Sequence, residues 1–401
     1  MSLPSDTTLP PNEPPSSQTA DGFQRQDVLT IAGGHFIHDT YSSFVSPLLP
    51  LIQERFLTNY ALTGSLAVFT QLPSLLNPLI GYIADRVSVR YFIIFAPAAT
   101  ATLMSLIGLA PTYLSLVFLL LAAGVSIAAF HAPAPAMVAQ VSGKRTGMGM
   151  GYFMASGELG RTVGPIVAVA GVNWFMLEGT WRLMFVGWAS SVILYYRLKD
   201  VAARPSSKYG RSELTAIWPR LRYIWGLFTF ILLARTFMVV PITTYLPLFM
   251  QDVFGLNFTL AGWSLALLEG AGVIGALTAG HLSDRVGRAR ILYILFSVAP
   301  FFYLAFIYAP QWLIIPLLII LGLTAISPTA VMLATVQDKF SENRALANGF
   351  FLASNFLTRA FTIWFIGFLA DRLGLQTTYT IGVFVALLCI PGVYFIFREE
   401  A

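Results

Sequence analysis

From about residue 28 to the end of the chain, apolar stretches of some twenty residues follow one another with only short polar breaks. A helix needs about 20 apolar residues to cross the hydrocarbon core of a bilayer, and in lipid the backbone must satisfy its own hydrogen bonds. Twelve such stretches fit, near 28–53, 61–84, 90–110, 112–140, 146–171, 181–198, 222–250, 260–283, 289–309, 311–337, 344–369 and 376–397, numbered here spans 1 to 12. Only 11% of the residues are charged, against about 25% in soluble domains, too few to cover a water-exposed surface of this size. A soluble fold is excluded, and an all-α membrane protein is expected.

Residues 1–24 carry five prolines among Ser and Thr and no apolar run, which predicts a disordered tail rather than a signal peptide. The longest polar interruption, 199–221, separates six spans from six. Basic residues set the orientation. Of the 24 Lys and Arg, eighteen fall on one side, three (Arg55, Arg182, Arg372) on the other, and three (Arg161, Arg235, Arg359) inside spans. Both termini are therefore expected in the cytoplasm of a bacterial-type inner membrane. The net charge of +5 is spread over short loops, which fits membrane orientation rather than nucleic acid.

The two halves repeat. Gly81-Tyr82-Ile83-Ala84-Asp85-Arg86-Val87 matches Gly280-His281-Leu282-Ser283-Asp284-Arg285-Val286 at an offset of 199, and Gly151 to Ser156 matches Gly349 to Ser354 at 198. Leu48 to Ile52 loosely matches Tyr245 to Phe249 at 197. Six helices duplicated in parallel predict two bundles, 25–198 and 222–401, with a substrate path between them at mid-membrane.

The first copy of the doubled motif, Gly81, Asp85, Arg86 and Arg90, lies between spans 2 and 3; the second, Gly280, Asp284, Arg285 and Arg288, lies between spans 8 and 9. A glycine there allows close helix approach, and the carboxylate suits a helix end. With twelve spans and a six-plus-six repeat, the motif resembles the signature loop of the major facilitator superfamily. That resemblance implies gating roles for these eight residues. The first copy departs from the pattern at Ser88 and Tyr91. A third Gly-x-x-x-Asp-Arg, Gly367 to Asp371 and Arg372, falls on the outer face with no basic run behind it and is expected to be a chance match.

Span 5 holds Gly151, Gly160, Gly164 and Pro165, a spacing similar to the helix-5 signature of proton-coupled drug antiporters in that superfamily, although Ala168 and Val169 replace its closing glycines. Glycines at these intervals permit tight packing and the proline a bend. The stretch from His35 to Ile52, with Phe130 and His131 in span 4, resembles the fosmidomycin-resistance branch, although Ala132 stands where that branch often has proline.

Ionisable residues at membrane depth cost about 2.5–3.5 kcal/mol each on insertion scales, so each needs a partner or a wet cavity. They occur in spans 1, 4, 5, 7, 8 and 11 and are missing from spans 3, 6, 9 and 12. Asp39, with His35 one turn earlier, is the first candidate for proton coupling, since burial disfavours the charged form of both groups. His38, Glu158 and Glu269 complete that set. Arg359, Arg235, Arg161 and His131 are the substrate-binding candidates. Arg359 faces no acid at the equivalent of Glu158, where Phe356 stands, and Glu158 and Arg161 at i and i+3 can neutralise one another.

No Gly-x4-Gly-Lys phosphate loop occurs, so ATP is not expected to supply the energy. The single cysteine, Cys389, excludes a disulfide framework and a cysteine-based metal site; no cofactor, metal or nucleic acid is expected. The sequence predicts a monomeric, proton-coupled exporter of a small drug or metabolite, its charge left open. An importing symporter is the alternative, and a membrane-embedded enzyme using Glu158 and His131 a remote one.

Overall fold

The computed structural model describes residues 22–76, 90–199, 201, 212–339 and 344–398, with side chains omitted over 212–224 and 344–350. No strand occurs among them. Where described, each of the twelve expected stretches falls on helix. Among the described residues, eight helices are long and apolar enough to cross a membrane; Gly143–Phe175 and Glu178–Leu198 pass together, bent by 118° where spans 5 and 6 join. Span 2 begins as Tyr60–Gln71 and runs into residues outside the description, as do the gating candidates Gly81, Asp85 and Arg86.

Two boundaries differ from expectation. The helix carrying span 7 begins at Ser212, inside the stretch read as a polar linker. The end of the expected tail is ordered: Phe23 is buried in a cluster with Val28, Phe130 and Val141, and Gln24 N–H donates to Val141 O at 2.9 Å. One apolar ring against the span 4 end anchors the chain before span 1 starts.

The spans nearest the two-fold relation are broken. Span 1 is two helices, Arg25–Ser42 and Val45–Phe56, parted at Ser43. Pro47 has no N–H for the Ser43 carbonyl four residues back, and its ring crowds that carbonyl. The equivalent place in span 7 is π-helical, Pro241–Tyr245. Span 4 ends one helix at His131 and restarts at Ala134 around Pro133, and span 10 is π-helical over Gly322–Ile326 before Pro328. Matching caps mark the repeat as well: Asn59 accepts from Leu62 N–H and Asn257 from Leu260 N–H, both at 2.9 Å.

Span 1 packs along span 5, and span 3 against span 6, within the first half; span 2 meets span 11 and span 5 meets span 8 across the halves. The apolar core divides by depth. Toward the face opposite the termini, the far face, one cluster joins residues of both halves, among them Leu48, Leu66, Tyr245 and Phe249. Toward the terminal face the described core is two separate clusters, one around Ile94 and Phe153 in the first half and one around Ile231 and Phe296 in the second.

Candidate functional site

Helices 1, 4 and 5 of the first half converge on Asp39, which is 2% exposed. His35 Nε2 lies 3.4 Å from Asp39 Oδ2, and His131 Nε2 lies 3.2 Å from Asp39 Oδ1. The two Nε2 atoms are 3.3 Å apart. The i, i+4 spacing in span 1 makes the first contact; the break after His131, at Pro133, lets span 4 bring its ring to the same place. Gly157 provides the room, since a Cβ there would lie 2.3 Å from His35 Cε1.

The outer nitrogens fix the tautomers. His35 Nδ1 sits 2.8 Å from Phe153 O and His131 Nδ1 sits 3.0 Å from Ile127 O. A carbonyl can only accept, so each Nδ1 carries the hydrogen, and in the neutral rings both Nε2 atoms are bare lone pairs. Three acceptor groups then face each other with no hydrogen among them. One added proton, on either ring or on the carboxyl, turns that repulsion into a hydrogen bond. His131, expected with the arginines, thus belongs with Asp39 and His35.

His38 lies outside this trio. It is fully buried and stacked on Phe130 with ring centroids 4.3 Å apart, and neither ring nitrogen has a hydrogen-bond partner among the described residues.

A second group lies between the halves. Glu158 and Arg161 of span 5 form the ion pair their spacing suggested. Glu269 of span 8 is within electrostatic reach of both and of Arg359. Arg359 of span 11 donates through Nη2 to the hydroxyls of Thr243 and Thr244, each at 3.2 Å, in the π-helical turn of span 7. Arg235 is elsewhere: 4% exposed, it donates to Ala325 O and Ile326 O at 3.3 and 3.2 Å, carbonyls of the π-helical turn in span 10. Its guanidinium spans two helices and is engaged with backbone.

The span 5 glycines divide. Cβ atoms at Gly160 and Gly164 would meet Phe36 O and Thr40 O at 2.4 Å, so span 1 lies against bare backbone there. Gly151 faces open space, and so does Gly280, where close approach was expected. Pro165 is buried. In the second loop motif Arg288 pairs with Asp284 at 3.1 Å and with Asp338 at the end of span 10, while Arg285 is exposed. Arg90 of the first donates to Val201 O at 3.4 Å. A cavity of about 460 Å³ at the terminal face, lined by Arg288, Arg290 and Asp338 among others, is separate from the mid-membrane groups.

The third Gly-x-x-x-Asp-Arg, expected to be a chance match, has partners. Asp371 accepts from Tyr60 N–H at 2.7 Å and Ala61 N–H at 3.1 Å, and Gly367 makes room for Ala61, whose Cα would lie 2.6 Å from a Cβ there. Counting spans puts it on the face opposite the termini and says nothing of what it touches.

Residues 31–340 match the family described as Major Facilitator Superfamily. The fosmidomycin resistance protein of Escherichia coli (strain K12) is 23% identical over 372 residues, covering 89% of both chains. The multidrug efflux protein YfmO of Bacillus subtilis (strain 168) is 24% identical over 372 residues, covering 86% of this chain and 87% of the relative. Among solved structures, an inward-facing, occupied bacterial homolog of the human lysosomal transporter Spinster superposes with a TM-score of 0.80 at 14% identity, over 95% of this chain and 98% of that one. The nucleoside transporter NupG gives 0.72 at 15%, over 93% and 99%.

Proposed function

Since this chain belongs to the Major Facilitator Superfamily and is a membrane transporter rather than an enzyme, we propose that it exports a small compound in exchange for protons by alternating access. The observation that carries this reading is the trio: two histidines and a carboxylate, held by backbone carbonyls so that their bare acceptor atoms meet, form a seat for one proton. Glu269 and the Glu158–Arg161 pair couple that seat to the second half. Proton uptake at the trio withdraws negative charge from the field at Arg161, on which both Asp39 and Glu158 act. Arg161 stays paired with Glu158, and the pull of Glu269 on it grows relative to that of the trio.

Arg359 is the substrate-facing cation in this reading. Its hydrogen bonds go to neutral hydroxyls and no carboxylate among the described residues pairs with it directly, which suits a cargo carrying an acidic group. Relatives named for fosmidomycin resistance and multidrug efflux support a drug-sized cargo and the outward direction. The two moving bodies are residues 25–198 and 222–401, with 199–221 and both termini on the cytoplasmic side by the distribution of basic residues.

Reconstitution tests it. A panel of drugs on cells with and without the gene finds a cargo, and flux is then followed in proteoliposomes under an imposed pH gradient. Cargo movement against proton flow supports the proposal. Movement with proton flow makes the protein an importing symporter, and flux indifferent to pH removes the proton from the cycle.

A further inference from the structure

Among the described residues, the hydrogen bonds between the halves gather at one end. Every hydrogen bond that crosses between them among the described residues lies at the far face: Asp371 to Tyr60 and Ala61, Asp252 to Tyr60, Tyr245 to Tyr60, and Asn173 to Thr259. The apolar core is fused across the halves at that same end.

The chemistry of the Asp371 contact is that of a helix cap supplied by another helix. The first N–H groups of a helix have no partner in their own helix, and the dipole makes that end favour negative charge. Asn59 covers Leu62 N–H of helix Tyr60–Gln71, and Asp371 covers Tyr60 and Ala61 N–H from span 11. The seam is tight: a Cβ at Gly64 would lie 1.7 Å from Tyr245 Oη, and one at Gly367 2.6 Å from the same atom. Tyr245 is fully buried between them and donates to Ile363 O at 2.7 Å.

The duplicated chain repeats this contact. Asn173 precedes Asp371 by 198 residues, and Thr259 follows Ala61 by 198, the offset of the internal repeat. Asn173 Nδ2 lies 3.0 Å from Thr259 Oγ1 in the first turn of helix Phe258–Val286. The same pair of positions is therefore bonded on both sides of the two-fold relation, span 11 to span 2 and span 5 to span 8, once with a carboxylate and once with an amide.

We propose that Asp371 and Asn173 are paired gating residues that hold the far face shut and must release for it to open, with Asp371 the stronger because it brings charge to a helix N-terminus. They act through the seam and touch no cargo. The proposal rests on alternating access and is independent of which ion drives it.

The swap of the two side chains is the test. Spin labels replace Leu57 and Leu373, both exposed at the far face, in a Cys389→Ser background, and their distance distribution is measured in nanodiscs. D371N should enlarge the far-face-open population about threefold to tenfold, as a lost charged cap implies, and D371E should restore most of the closed state. N173D should shrink the open population, and D371N/N173D should return it toward wild type. Transport by D371N should change in turnover more than in apparent affinity. If D371N leaves the distances unchanged in a protein of normal yield, or N173D opens the face, the proposal is overturned. Loss of yield in D371N that N173D does not repair marks the contact as structural only and overturns it too. Failure of proton coupling would leave these distances untouched.

Discussion

Replacing Asp39 by Asn probes the proton seat at its centre. With both rings neutral, the wild-type trio has four acceptor atoms and no hydrogen among them, because both Nδ1–H groups are committed to Phe153 O and Ile127 O. An amide brings N–H to one of the two carboxylate positions, so D39N satisfies one histidine Nε2 permanently, as a single added proton does, and imitates the loaded state. In the proposed cycle the trio takes up one proton. A gradient of one pH unit is worth about 1.4 kcal/mol per proton, a tenfold concentration ratio for the cargo. Proteoliposomes under such a gradient should reach about a tenfold ratio with the wild type and about unity with D39N, while cargo-for-cargo exchange without a gradient continues in the variant. A D39N protein that still builds a tenfold ratio would refute the assignment of the proton to this trio; one that loses exchange as well would place Asp39 in the folding or cargo site instead.

Four further outcomes follow from the geometry. R359A should raise the apparent KM for an acidic cargo by tenfold or more, and R359K should recover only part of it because one ammonium cannot span both Thr243 and Thr244; unchanged KM removes Arg359 from the cargo site. G164A places a methyl 1.8 Å from Ser43 Oγ and 2.4 Å from Thr40 O, and should cost about 1–3 kcal/mol, read as a lower thermal midpoint in detergent, whereas G151A, facing open space, should leave it unmoved. Removing one partner of the Glu158–Arg161 pair, as in E158Q, should reduce transport and stability more than the double E158Q/R161Q, checked by a double-mutant cycle on thermal midpoint and flux. N59A and N257A should each destabilise by about 0.5–2 kcal/mol, and by similar amounts, since the two caps occupy repeated positions.

The sequence showed where the chain is helical in a membrane, because lipid leaves the backbone one choice and the apolar runs record it. The repeat was readable too, from three offsets near 198. Partnership between helices was not. His35 and Asp39 could be paired because a helix places i and i+4 together, but the approach of His131 depends on which faces of spans 1 and 4 meet, and no periodicity encodes that. The break at Ser43 had a signal in Pro47, four residues on, that the apolar pattern masked. Asp371 lacks the basic run of its two look-alikes, yet its contact needs only a carboxylate level with the start of span 2. Gly151 and Gly280 show the opposite error: the spacing suggests close packing, and both face open space.

Every atom that defines the proton seat, from Phe153 O and Ile127 O inward to Asp39, comes from the first six helices. Turning that bundle as a body would re-aim the seat toward one compartment or the other while its internal distances stay the same. Its hold on hydrogen ions would then differ between the two orientations only through its coupling to Arg161 and, beyond that, to Glu269. In the proposed exchange, direction is set by the acidity difference between the compartments and by the cargo gradient, so reversing the acidity difference should run the exchange backwards.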